Sequence, residues 1–81
     1  MKLFLMKHDN GGSCDVYLSL LVAAIDEQDA RSIHPVAPWD QCTKDDLRQW
    51  AATPADIRVH EIGTANDGIT RGILMSEYCG C

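Results

Sequence analysis

Residues 15–35, DVYLSLLVAAIDEQDARSIHP, constrain the fold more than any other stretch, because an uncharged apolar run over residues 16–25 passes at once into an acidic helix start. Only Ser19 interrupts that run, which is far shorter than the ~20 residues of a membrane span, so it reads as a buried strand. Val16, Tyr17, Val22 and Ile25 have the branched or aromatic side chains that strands favour. Asp26 stands where a helix N-cap is needed. Glu27 and Asp29 fall in the first turn, where carboxylates meet unsatisfied N–H groups and the positive end of the helix dipole. His34 and Pro35 end the helix, with His34 expected to cap its C-terminus as an imidazolium.

The remaining elements arrange themselves around that unit. In residues 2–8, Leu3 and Leu5 alternate with Phe4 and Met6, so both faces are apolar and a central or well-covered strand is expected. Asp9-Asn10-Gly11-Gly12-Ser13 is the strongest turn signal, since Asn and Gly tolerate positive φ, and it predicts a hairpin into a second strand over 14–24. A helix over 26–33 then packs Ala30 and Ile33 on the sheet and leaves Glu27, Gln28 and Arg31 outside. The segment VAPWDQC, with Pro38, is loop, and its Trp39 needs a partly buried place. Thr43-Lys44-Asp45-Asp46 has the form of a capping box and predicts a second helix over 44–52, with Leu47, Trp50 and Ala51 inward and Pro54 ending it. Residues 57–62 alternate as a half-wet strand, Asn66-Asp67-Gly68 is a turn, and residues 72–78 form the last strand. The expected fold is a single small α+β domain over 1–81, ordered ββααββ. Two hairpins are joined through helices, in a four-stranded antiparallel or mixed sheet with helices packed on one face.

Charge narrows the function classes. Twelve carboxylates against seven Lys and Arg give a formal charge of −5. The basic residues Lys2, Lys7, Arg31, Lys44, Arg48, Arg58 and Arg71 are scattered, so direct nucleic-acid binding, which needs clustered cations, is not expected. The start MKLFLMKHD lacks the apolar core and small-residue cleavage site of a signal peptide, and no run is long enough for a membrane anchor. A cytosolic location is expected, with Cys14, Cys42, Cys79 and Cys81 as thiols.

No motif points to an enzyme or a cofactor. Gly11-Gly12 lacks the lysine and the following helix of a phosphate loop, and no cysteine or serine sits in a strand-turn-helix elbow. Cys79-Gly80-Cys81 does not have the spacing of a structural zinc pair, so no metal is expected, although a small thiol or zinc-binding module built on Cys79 and Cys81 is the alternative. The acids are the remaining feature. Asp26, Glu27 and Asp29 gather at the first helix start, and Asp40, Asp45 and Asp46 at the second. Helix starts favour carboxylates for their own stability; the functional reading is that both starts form one negative face that competes with phosphates for a basic groove.

The chain also resembles small accessory proteins encoded by bacteriophages and prophages. The likeness rests on Met1-Lys2-Leu3-Phe4-Leu5, Val22-Ala23-Ala24, Asp29-Ala30-Arg31-Ser32-Ile33-His34-Pro35, Val59-His60-Glu61-Ile62-Gly63 and Gly72-Ile73-Leu74-Met75-Ser76-Glu77-Tyr78. It departs from the pattern at Cys79 and Cys81. Some small acidic α+β proteins of this kind are anti-CRISPR inhibitors, and the resemblance implies a non-enzymatic protein, monomer or homodimer, that binds a host protein or ribonucleoprotein defence complex in the bacterial cytosol. The residues expected to touch the partner are Asp26, Glu27, Asp29, Asp45 and Asp46, with Trp39 and Tyr78 as aromatic anchors. A phage structural or regulatory protein is a further alternative.

Overall fold

The described residues of a computed structural model, 1–8 and 16–80, form one four-stranded sheet with a thin helical layer on one face. The strands are β1 (Lys2–His8), β2 (Val16–Ala24), β3 (Ile57–Thr64) and β4 (Gly72–Cys79). Between β2 and β3 come helix α1 (Glu27–Arg31), a 3-10 turn (Trp39–Gln41), helix α2 (Lys44–Arg48) and a second 3-10 turn (Pro54–Asp56). The turn expected over residues 9–13 lies outside the described residues. Three antiparallel pairings build the sheet in the order β3-β1-β2-β4.

That order corrects the expected second hairpin. β3 and β4 do not pair; they occupy opposite edges, β3 beside β1 and β4 beside β2. The turn at Asn66-Asp67-Gly68 forms, with Ile69 N–H donating to the Asn66 carbonyl at 3.2 Å and Gly68 at φ 94°, where a Cβ would strain the backbone. It serves a connection that crosses from one edge to the other. Both helices are also shorter than the expected 26–33 and 44–52, at five residues each, and the simple ββααββ order omits the two 3-10 turns.

The core lies between sheet and helices. Phe4 and Met6 of β1 face Val22 and Leu20 of β2, joined by Ala24, Ile57, Ala30, Ile33, Trp50 and Ala51. Trp50 is fully buried and sets its indole edge-on against His8, at 4.7 Å between ring centres. The Arg31 guanidinium donates to the Pro54 and Ile57 carbonyls, tying α1 to the start of β3. The Tyr17 N–H donates to the Gln49 carbonyl at 2.7 Å, tying the end of α2 to the start of β2.

β1 lies inside the sheet between β3 and β2, as expected of a strand apolar on both faces, but among the described residues no element covers the sheet's opposite face. Leu5, Leu21, Ile62 and Met75 line a shallow groove of about 320 Å³ there, with Ser19 and Glu77 at one end. Ile62 reaches that face through a bulge: Leu3 pairs with Gly63 and Phe4 with Glu61, so Ile62 is the extra residue. Leu18 in β2 and Leu74 in β4 are extra in the same way, and both are exposed.

Candidate functional site

The acidic site is built by two short helices whose caps are written in the chain. At α1, Asp26 is extended (φ −152°) and its carboxylate accepts from the Asp29 N–H at 2.8 Å. Asp29 in turn accepts from the Ile25 N–H at 3.0 Å and from Arg71 Nε at 2.8 Å. The Ile25 N–H, and after it Arg71, hold the Asp29 carboxyl below its ordinary value. Arg71 also donates to Ser32 Oγ at 2.8 Å, so this one guanidinium clamps α1 to the approach of β4. Asp29 is therefore committed to the fold. Glu27 stays largely exposed, 3.7 Å from Arg31.

At α2 the capping box is complete, with Asp46 N–H donating to Thr43 Oγ1 at 3.2 Å and Thr43 N–H to the Asp46 carboxylate at 3.0 Å. Asp45 pairs with Arg48 at 3.2 Å across open solvent, and Asp40 is exposed in the preceding 3-10 turn. Both helix starts belong to the layer on one face of the sheet, because Ala30 beyond one and Trp50 and Ala51 beyond the other enter the same core. Arg31, Lys44, Arg48 and Arg71 stand among these acids.

Between the two starts sits a small polar cluster. His34 is buried (8% exposed) rather than capping α1, whose C-terminal bonds are made by the Ser32 backbone N–H. Its Nδ1 accepts from the Val36 N–H at 3.1 Å, so Nε2 carries the hydrogen, and Nε2 has no partner among the described residues. Burial lowers its pKa and Asp46 pulls the other way, which leaves the ring neutral at neutral pH. The expected imidazolium at that helix end is thus corrected. Trp39 meets the His34 ring edge-on at 4.8 Å and donates Nε1–H to the Arg31 carbonyl at 3.0 Å. Cys42 donates to the Ala37 carbonyl at 3.5 Å, and burial, with Asp46 next, pushes its thiol pKa up. A neutral imidazole and a protonated thiol are not an activated nucleophile and base.

The other predicted residues divide. Trp39 is half-buried and works as a wall of the helical layer. Tyr78 is 48% exposed on β4 and packs on Tyr17 at 4.8 Å, on the helix-bearing side. Cys79 is an exposed free thiol at the end of β4, while Cys14 and Cys81 lie outside the described residues. Among the described residues no group of three or more His, Cys, Asp or Glu side chains is placed to hold a metal ion, and no helix is long and apolar enough to cross a membrane. Sequence reasoning missed the uncovered groove. Its signal in the sequence is the apolar pair Leu3 and Leu5 on the second face of β1. No protein-family model, curated protein or solved structure matches the chain.

Proposed function

We propose that the chain is a non-enzymatic binding protein that offers the helix-bearing side of its sheet to a basic groove, inhibiting a nucleic-acid-handling defence complex of a bacterial host. The kind of partner, and a role in phage or mobile-element biology within the host cytosol, follow from the likeness to small phage and prophage accessory proteins. The observation that supports the reading is that both acidic helix starts belong to one helical layer, since Ala30 and, beyond α2, Trp50 and Ala51 enter the same core. Glu27, Asp40 and Asp45 are exposed there, and the Asp26 and Asp46 carboxylates accept the capping bonds of the two helices. Such a surface competes with phosphates for the same cations, with Tyr78 as an aromatic contact at its rim. Asp29 leaves the contact set because Arg71 and the Ile25 N–H already hold it.

The test is displacement of labelled DNA from a panel of purified CRISPR effector complexes, wild type beside E27K/D40K/D45K. Asp26 and Asp46 are left in place because each caps a helix, so charge is reversed without unfolding. Wild type is expected to displace DNA from at least one complex, less well as salt rises, and the triple variant to lose about tenfold or more in potency. No displacement from any complex, or a triple variant of equal potency and circular dichroism, would remove the acidic-surface reading.

A further inference from the structure

We propose that Asp67 is a self-modifying site, where the turn between β3 and β4 converts its own backbone to isoaspartate through a cyclic imide while the protein stays folded. The chemistry needs no partner. It requires a carboxyl on the residue before a backbone nitrogen that is unshielded, open to water and free of other bonds. Asn66, Asp67 and Gly68 are all exposed. Gly68 has no side chain to screen its nitrogen, and at φ 94° nothing beyond its chain neighbours lies within 4 Å of the place a Cβ would take. The turn is closed by the Ile69 N–H on the Asn66 carbonyl at 3.2 Å, so the Gly68 N–H is left out of the turn's own bond. Among the described residues no other group accepts from that N–H, and no cation pairs with the Asp67 carboxylate.

The atoms balance without a co-reactant. The Gly68 nitrogen attacks Asp67 Cγ, the carboxyl's hydroxyl leaves with the amide proton as water, and the imide ring closes. Water then reopens the ring. Attack at Cγ restores aspartate; attack at the main-chain carbonyl carbon leaves the chain running through Cβ and Cγ, with the former main-chain carboxyl as the side group. Mass is unchanged, and the main chain gains one carbon. That carbon falls inside the loop closed by Ile69 on Asn66 and shortly before Arg71. Arg71 grips α1 through Asp29 at 2.8 Å and Ser32 Oγ at 2.8 Å. A longer turn shifts Arg71 off both partners. The connection from one sheet edge to the other is thus a slow internal clock, and its readout is the hold of Arg71 on the first helix.

The full chain is incubated at about 37 °C and about pH 5, close enough to the ordinary carboxyl range for the acid form to react. Peptide mapping with electron-transfer fragmentation is expected to find isoaspartate at residue 67, forming within about tenfold of its rate in urea-unfolded chain. D67E keeps the charge but closes its larger ring far more slowly, and should stay unmodified at that position. Asn10-Gly11 reacts with loss of ammonia, so its product differs in mass and maps to another peptide. The isomerised fraction, separated by chromatography, should unfold at lower urea than the unmodified fraction, and the two should coincide in R71Q. Residue 67 unchanged in the folded protein while the unfolded chain reacts overturns the site. An isomer as stable as the parent, or a gap that persists in R71Q, overturns the link to Arg71.

Discussion

Single side chains in this protein are tied down by specific partners, and His34 is the clearest case. Its Nδ1 is engaged by the Val36 N–H and its ring lies against Trp39, away from water. The folded state holds its pKa below the ordinary 6.5, because burial disfavours the charged ring more than Asp46 favours it. The unfolded chain therefore binds the proton first as pH falls, and His34 contributes stability above about pH 6.5 that is lost progressively below it. Urea unfolding between pH 7.5 and 5 is expected to show a decline that is shallower in H34Q. Equal slopes would remove the neutral buried ring from the account. Asp29 adds a second acid-side decline. Its carboxyl is lowered from 3.8, so its share is present above that value and disappears as pH falls through the folded one.

At the scale of elements, the two helices are held by caps and core contacts, since five-residue helices have no stability of their own. Thr43 is the economical place to test this. Both bonds of its capping box to Asp46 are present, so T43A is expected to lower stability by about 1 kcal/mol. The same variant should leave DNA displacement by Glu27, Asp40 and Asp45 within about twofold, because a cap residue is not a contact charge. A T43A protein that is fully stable but inactive would mean that Thr43 touches the partner. Edges show a matching division: β3 carries Arg58, His60 and Glu61 and resists pairing with other chains, whereas β4 has Glu77 as its only charge.

The whole molecule depends on one core shared by sheet and helices. Trp50 and Ala51 come from the segment after α2, Ala30 from α1 and Phe4, Met6, Leu20 and Val22 from the central strands, all in one cluster. Melting the helical layer would strip the central strands of the cover that Ala30, Ile33, Trp50 and Ala51 give them. Far-ultraviolet circular dichroism and tryptophan fluorescence are expected to report a single coincident urea transition. An earlier fluorescence change would mean that Trp39 and Trp50 leave a sheet that survives alone.

Local chemistry made much of this legible in the chain itself. Asp26 as N-cap, the Thr43–Asp46 box, the turn at Gly68 and the inward Ala30, Ile33, Trp50 and Ala51 are each dictated by neighbours a few residues away. The acidic residues were visible, but not that Arg71, 42 positions along the chain, takes Asp29 out of the surface. Tertiary structure alone decided that β3 and β4 part to opposite edges, that Ile62 is turned outward by a bulge, and that His34 is buried neutral. Each depends on which distant strand supplies hydrogen bonds or cover, and period and propensity carry no record of distant partners. The uncovered face has the same cause: an apolar second side to β1 records that a cover is wanted, and only the packed chain reveals that its own helices are spent on the other side.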